Sequence, residues 1–311
     1  MLKIHLLTQN NEKIIAKALH SLLPLKSEII VGDMGSGDNT LRICKSCGVE
    51  TIQLGKISDY SVARNRLLGP DMNFYLHPWE VLVDGHDFIR NTSESACQIT
   101  IFNNNIVTYE IRLWKNSKFI NPVYETIKLQ HTTRIGTIYS GTPQKNLKDI
   151  LQITKRWRET TGSIEPYYYE ALTLLSSFNY DQFLPIAEHY LSLDRSSISA
   201  TMLRYYLAQI LLYQGNSPKS VRNILVCLVM HPLMAEFWCL LGDIFYKQEK
   251  YLKAKAFYEN AIILGARREN KSDWPIDLNK YKKYPQKMIS NVEEILSKET
   301  YFGSKIPNHS Q

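Results

Sequence analysis

At 311 residues, with 44% hydrophobic and 22% charged residues, the chain has the composition of a globular protein with room for two domains, each burying its own core. No apolar run reaches the length of a membrane span, and the chain opens directly on a strand pattern instead of a signal peptide, so a cytoplasmic protein without a transmembrane segment is expected. A formal net charge of +7 and a pI near 9.0 call for an anionic partner, such as a nucleotide-sugar, a phosphorylated glycan or a membrane surface. No helix-turn-helix, RNP or zinc-finger pattern is present, so nucleic acid is not expected among the partners.

In chain order, Lys3 to Leu7 is an apolar-rich strand. Thr8-Gln9-Asn10-Asn11-Glu12 then leads into a helix with Ile14, Ile15, Ala18, Leu19 and Leu22 on one face. The run Ile29-Ile30-Val31 reads as a buried parallel strand that delivers Asp33 at its carboxyl end. Gly35 and Gly37 permit a turn with unusual backbone angles, and Asp38, Asn39 or Thr40 can cap the next helix. In an open α/β sheet, ligands sit beyond the carboxyl ends of the strands, which places Asp33 to accept a hydrogen bond from one. Asp38 and Thr40 read better as cap and turn residues. Cys44-Lys45-Ser46-Cys47 closes the helix that starts near Thr40. A redox pair would open a helix, and zinc would need two further ligands, so reduced structural thiols are expected here and at Cys97, Cys227 and Cys239.

Three stretches then form a constellation: Gln9-Asn10-Asn11-Glu12, Asp33-Met34-Gly35-Ser36-Gly37-Asp38-Asn39-Thr40, and Asp59-Tyr60-Ser61-Val62-Ala63-Arg64-Asn65. Together they resemble the family 2 glycosyltransferases, within them the branch typified by lipopolysaccharide core β-glucosyltransferases, over about the first 130 residues. The resemblance implies a GT-A fold, a Rossmann-like α/β domain that holds a nucleotide-sugar. It implies a donor site at Asn10, Asp33, Arg64 and Asn65, with Asp33 at the base and Asn10 and Arg64 along the nucleotide and its phosphates. The chemistry suits those roles, since a carboxylate reads an imide N–H or ribose hydroxyl and a guanidinium suits a diphosphate.

The family's next landmark is a strand ending in Asp-x-Asp-Glu, whose carboxylates hold a divalent metal on the donor diphosphate. Here Asn73-Phe74-Tyr75-Leu76 ends in His77-Pro78-Trp79-Glu80, so that only the final Glu remains. His77 and Glu80 are the candidate ligands for Mg²⁺ or Mn²⁺, and Glu80 would act near the diphosphate. A second register uses Asp84-Gly85-His86-Asp87 after Val81-Leu82-Val83. Arg112-Leu113-Trp114-Lys115-Asn116 and Asn121-Pro122-Val123-Tyr124-Glu125 resemble the family's acceptor-side landmark, with Tyr124 in place of a His. By that resemblance Glu125 is the general base of an inverting transfer. Read on its own, Glu125 is equally a strand residue paired with Arg112 or Lys128.

The second half changes to helical periodicity. Trp238-x₂-Leu241-Gly242-x₂-Phe245, followed by Ala254-x₃-Tyr258 and Ala261, fits the tetratricopeptide pattern, whose period is 34 residues. One period earlier, Leu207, Ala208, Leu211, Ser220, Ile224, Cys227 and Pro232 occupy corresponding places. A weaker copy precedes them at Leu174, Leu175, Phe178, Ala187 and Leu191. Such hairpins must stack on neighbours to bury their apolar faces. The expected organisation is a GT-A domain at 1–145, a bridging segment at 146–165, an all-α domain of tetratricopeptide-like repeats at 166–300 and a frayed tail at 301–311. A solvated basic stretch runs through Arg267, Arg268, Lys271, Lys280, Lys282, Lys283 and Lys287.

Three functions fit these residues, the third of them sugar transfer without a metal, with Lys115, Lys118 or Arg134 neutralising the diphosphate. The first is transfer of a sugar from a nucleotide-sugar to a glycan, lipid-linked or protein acceptor. The second is a catalytically reduced relative that binds nucleotide or acts as a scaffold, its repeats engaging a protein partner or a second copy.

Overall fold

The computed structural model describes residues 1–55, 57, 59–123, 129, 133–142, 146–268 and 275–303, the side chains of 299–303 excepted. The chain divides into two compact units, Met1–Ser177 and Phe178–Gln311.

In the first unit the elements are β1 (Leu2–Thr8), α1 (Ile15–Leu22), β2 (Glu28–Asp33), α2 (Thr40–Ser46), β3 (Glu50–Gln53), α3 (Tyr60–Asn65), β4 (Met72–Tyr75), β5 (Glu80–Asp84), α4 (His86–Asn91), β6 (Ala96–Asn103), β7 (Ile106–Trp114), β8 (Thr133–Ser140), α5 (Leu147–Thr160) and α6 (Glu165–Ser176). The strands lie in the order β3-β2-β1-β4-β7-β6-β8-β5. The first four are parallel, with Thr8 level with Asp33 and His5 level with Tyr75. β7 then runs antiparallel to β4, and β6 antiparallel to β7, which makes the sheet mixed.

Strand order follows from burial. β1 and β2 are near-continuous apolar runs because both their faces are covered, as in parallel sheets flanked by helices. Ile15, Ala18, Leu19 and Leu22 of α1 pack on one face with Ile4, Leu6, Val31 and Phe74. On the other face Ala63 and Leu67 pack against Leu7 and Ile30. Gly32 leaves room there, since an added Cβ would stand 2.7 Å from the Leu54 side chain. The chain reverses its direction of growth between β1 and β4, the kind of switch point beyond whose carboxyl ends open α/β sheets hold ligands.

The segment expected to bridge the halves belongs to the first unit. Ile150 and Ile153 of α5 are buried with Val123, and Tyr60 and Trp157 pack against them. Arg158 of α5 pairs with the buried Glu170 of α6 at 2.8 Å.

The second unit comprises α7 (Tyr180–Leu193), α8 (Ile198–Tyr213), α9 (Ser217–Met230), α10 (Ala235–Lys247), α11 (Tyr251–Gly265) and α12 (Lys283–Gly303). It is a helical-repeat region of tetratricopeptide-like hairpins. In the pair α10–α11, Gly242 lies flat against Tyr258, and a Cβ added at Gly242 would stand 2.4 Å from the Tyr258 ring. In α8–α9 the equivalent positions are Ala208 and Ile224, and Ser220, which corresponds to Ala254, donates its hydroxyl to the Ala208 carbonyl at 2.6 Å. The turns repeat too. Gly215 (φ 80°) and Glu249 (φ 59°) take the left-handed conformation one 34-residue period apart, and Phe178 (φ 56°) does so at the head of α7. The weak repeat copy at 174–191 has its first helix, α6, in the first unit and its second, α7, in the second unit.

The second unit ends in a polar clamp. The short 3-10 helix Leu278–Tyr281 lies near α10, where Tyr281 donates to Glu236 at 2.8 Å and the Asp277 N–H donates to the same carboxylate at 3.0 Å. Tyr258 and Tyr284 both donate to Asp243. Among the described residues, no helix is long and apolar enough to cross a membrane.

Candidate functional site

The first two motifs lie at the carboxyl ends of β1 and β2, and their polar groups chiefly bond to one another. Asn10 adopts φ 53°, a left-handed conformation that Asn tolerates. Its N–H donates to the Ser36 hydroxyl at 2.9 Å, and its side-chain oxygen accepts from the Gly37 N–H at 2.8 Å. The Asn11 N–H donates to the Thr40 hydroxyl at 2.8 Å. Glu12 accepts from the backbone and side chain of Asn39, and its own N–H donates to Asp38.

Asp33 is buried and accepts from the N–H groups of Gly35 and Ser36 and from the Ser36 hydroxyl. Its place is at the base of the turn. Burial opposes charge on Asp38, but hydrogen bonds from the Thr40 side chain and backbone and from the Glu12 N–H outweigh it and hold the carboxyl below its ordinary value. Asp38 and Thr40 are the cap and turn residues that their spacing predicts.

The third motif builds a different feature. Asp59 caps α3 by accepting from the Val62 N–H, which fixes the helix start. Arg64 of this helix is only 2% exposed. Its guanidinium stands 5.0 Å from the Tyr75 ring centre and 5.3 Å from that of Phe119, with Nη2 3.2 Å from His77 Nδ1. Beneath this box lies His5, fully buried, its ring edge-on to Trp114 and Phe119 and neither ring nitrogen hydrogen-bonded. Burial first, then the positive charges of Arg64 and Lys3, hold His5 well below its ordinary pKa.

Asn65 points elsewhere. Its amide closes on Phe119 in both directions, donating to the carbonyl at 3.0 Å and accepting from the N–H at 2.9 Å. With Gly69, Pro70, Asn73, Asn116 and Lys118 it lines a cavity of about 360 Å³ beside the amino end of β4. That cavity lies apart from the two motif loops at the carboxyl ends.

At the position of the family's metal-binding carboxylates, His77 and Trp79 stack on each other with ring centres 4.5 Å apart and planes 9° apart. Glu80 is 2% exposed and accepts two parallel hydrogen bonds from Arg112, at 2.9 and 2.8 Å, as well as one from the His77 N–H. Arg112 also pairs with Glu110 at 3.0 Å and lies 4.1 Å over the Tyr75 ring centre. Burial raises the Glu80 carboxyl somewhat and Arg112 pulls it back, while the same pairing holds Arg112 charged.

These residues do not fit a divalent cation. Glu80 has both oxygens committed to a buried guanidinium, and the nearest imidazole nitrogen faces a second one. The other register is no better formed, because Asp87 pairs with Arg90 at the surface and His86 bonds the Ser21 carbonyl. Among the described residues, no cluster of three or more His, Cys, Asp or Glu side chains is placed to hold a metal. Glu125 lies outside the described residues.

The aromatic box of His5, Tyr75, Trp114 and Phe119 around Arg64 went unread in the sequence. Its members come from four separate segments, and no local spacing joins them. Cys44 is buried and its thiol is pushed up to about 11 by burial first and then by neighbouring Cys47 and Asp33, in keeping with an inert thiol.

No family model matches this chain, and no curated protein matches it. Among solved structures, MamA (residues 41 to end) from Desulfovibrio magneticus RS-1 is similar at 18% identity and a TM-score of 0.39, covering 53% of this chain and 90% of that one. The Sgt2 TPR domain from Aspergillus fumigatus is similar at 15% identity and a TM-score of 0.37, covering 49% and 89%. PcrH from Pseudomonas aeruginosa is similar at 12% identity and a TM-score of 0.36, covering 42% and 91%.

Proposed function

We propose that the protein is a catalytically reduced relative of the family 2 glycosyltransferases, whose sheet binds a nucleotide or nucleotide-sugar without a metal and whose helical repeats engage a partner. The commitment of Glu80 to Arg112 carries this reading. The one carboxylate left where the family keeps its metal ligands is internal, paired and shielded from solvent. A nucleotide-binding role is supported by the switch point between β1 and β4, where Gln9 and Asn10 remain exposed beside the interlocked loops. Asn10, Asp33 and Arg64 would shape the site there, Arg64 by setting its positive potential from beneath.

Thermal shift with UDP-, GDP-, CMP- and dTDP-sugars, each with EDTA and with Mn²⁺, tests this. One nucleotide class is expected to stabilise the protein equally in both conditions, and Asn10→Gly is expected to weaken the shift. A shift that requires Mn²⁺ would overturn the metal-free reading. No shift with any donor would remove nucleotide binding altogether.

Sugar transfer by the same sheet is the second reading, favoured by the run of three motifs in order. It would assign Glu125 as the base, and turnover of a bound nucleotide-sugar that is lost in Glu125→Gln would establish it over the first.

A further inference from the structure

The exposed face of α9 is divided along its length. Toward its start it presents Lys219 and Arg222, and toward its end Leu225, Val226, Val229 and Met230. These six positions share one face of the helix at 3.6 residues per turn, while Ser220, Ile224, Cys227 and Leu228 form the buried one. The apolar members are 48%, 36%, 81% and 42% exposed.

Hairpin geometry gathers further apolar groups at the same end. The Cys227 thiol meets the Thr201 carbonyl, so the end of α9 lies beside the start of α8, where Ile198 is 45% exposed. Leu193, at the end of α7 just before, is 58% exposed. Gly265 abuts Ala235, which sets the end of α11, with Ile263 54% exposed, beside the start of α10. One end of the stack therefore carries an apolar rim contributed by four helices.

We propose that this rim docks on an anionic lipid bilayer. Charge selects the occupant. α9 carries no Asp or Glu, and exposed Arg195 and Arg267 add to Lys219 and Arg222. Among the described residues nearby, Asp194 stays ionised, its charge favoured by hydrogen bonds from Ser196, Ser197 and Tyr190, and Glu259 stands one turn inward of Ile263, so these two acids offset only part of the four cations. A peptide would need a groove, whereas Val229 at 81% exposed stands on a protrusion. Arg195 and Arg267 flank the apolar rim, and Lys219 and Arg222 stand about 15 and 10 Å back along α9 from Val229, which sets apolar tips toward acyl chains and basic side chains toward anionic headgroups.

Flotation of the full-length protein with phosphatidylcholine vesicles, with and without phosphatidylglycerol, tests the proposal. Binding is expected only to vesicles with phosphatidylglycerol, and is expected to weaken as salt is raised. Val229→Asp is expected to lower the partition about tenfold or more, since it both removes apolar burial and adds repulsion. Arg222→Glu is expected to lower it at low salt and to make what remains less sensitive to added salt. Both sites are exposed, and an unchanged thermal melt confirms that the variants fold. No binding by the native chain, or binding indifferent to both substitutions, would overturn the proposal. So would a dimer, measured by light scattering without lipid, that Val229→Asp dissolves, because the rim would then belong to a second copy.

Discussion

Arg112 holds Glu80 in a bidentate grip, 32 residues away along the chain and almost wholly out of solvent. A buried ion pair of this kind contributes little net stability over an apolar replacement, yet losing one partner is severe because the other charge remains buried. Glu80→Ala is expected to destabilise the first unit by about 3–5 kcal/mol. The double variant Glu80→Leu with Arg112→Met is expected to recover most of that loss. Urea titrations of both variants measure the difference, and Mn²⁺ is expected to shift neither curve.

His5 makes stability depend on pH. Its folded pKa is depressed, so the unfolded chain binds a proton that the folded chain refuses. The contribution is complete above the ordinary value of about 6.5 and is lost as pH falls below it, by roughly 1.4 kcal/mol for each unit. His5→Phe, which suits a pocket walled by Tyr75, Trp114 and Phe119, is expected to flatten the acid limb of a plot of unfolding free energy against pH. An unchanged limb would place the acid sensitivity elsewhere.

The hairpin α10–α11 depends on the missing side chain at Gly242. Gly242→Ala would drive a methyl into the Tyr258 ring and is expected to cost about 1–3 kcal/mol. Gly37→Ala, where an added Cβ meets nothing within 4 Å, is expected to change the melting temperature little. Denaturant titration of the two variants gives the contrast.

Glu249 bears a side chain in the left-handed conformation that Gly215 fills one repeat earlier. Replacing it with glycine removes a strain of about 1 kcal/mol, offset in part by a more flexible unfolded chain. Glu249→Gly is accordingly expected to raise the thermal midpoint slightly. Gly215→Ala is expected to lower it.

Thiol reactivity separates the two cysteines of the C-x-x-C. Burial pushes Cys44 and Cys97 up to about 11 and Cys227 to about 12, and Cys239 is also buried. Cys47 is half-exposed at the end of α2, with its sulfur 4.0 Å from His20 Nε2. Titration of the native protein with a thiol reagent at neutral pH is expected to label Cys47 rapidly and the other four only on unfolding.

Strands β1, β2 and β4, the first two helices and both well-formed helical hairpins could be read from the sequence because each declares itself over a few adjacent residues. Ile29 to Val31 is apolar on both faces, and Gly242 and Tyr258 fall within one repeat. The pairing of Arg112 could not be read this way. Its sequence neighbours pointed toward Glu125, while the partner at Glu80 is set by the approach of β7 to the turn ahead of β5. Arg64 was legible as a cation but not as a buried one, since its surroundings come from β1, β4, β7 and the loop at Phe119. The loops were legible as turns, yet nothing local revealed that Asn10 would bond across to Ser36 and Gly37.

That crossing has a kinetic consequence. Loops that bond to each other need no ligand to take shape, so they are preorganised in the folded chain. The conformational entropy was lost when the chain folded. For a nucleotide bound there, as proposed above, the rate of association is expected to be set by diffusion and charge instead of by loop ordering.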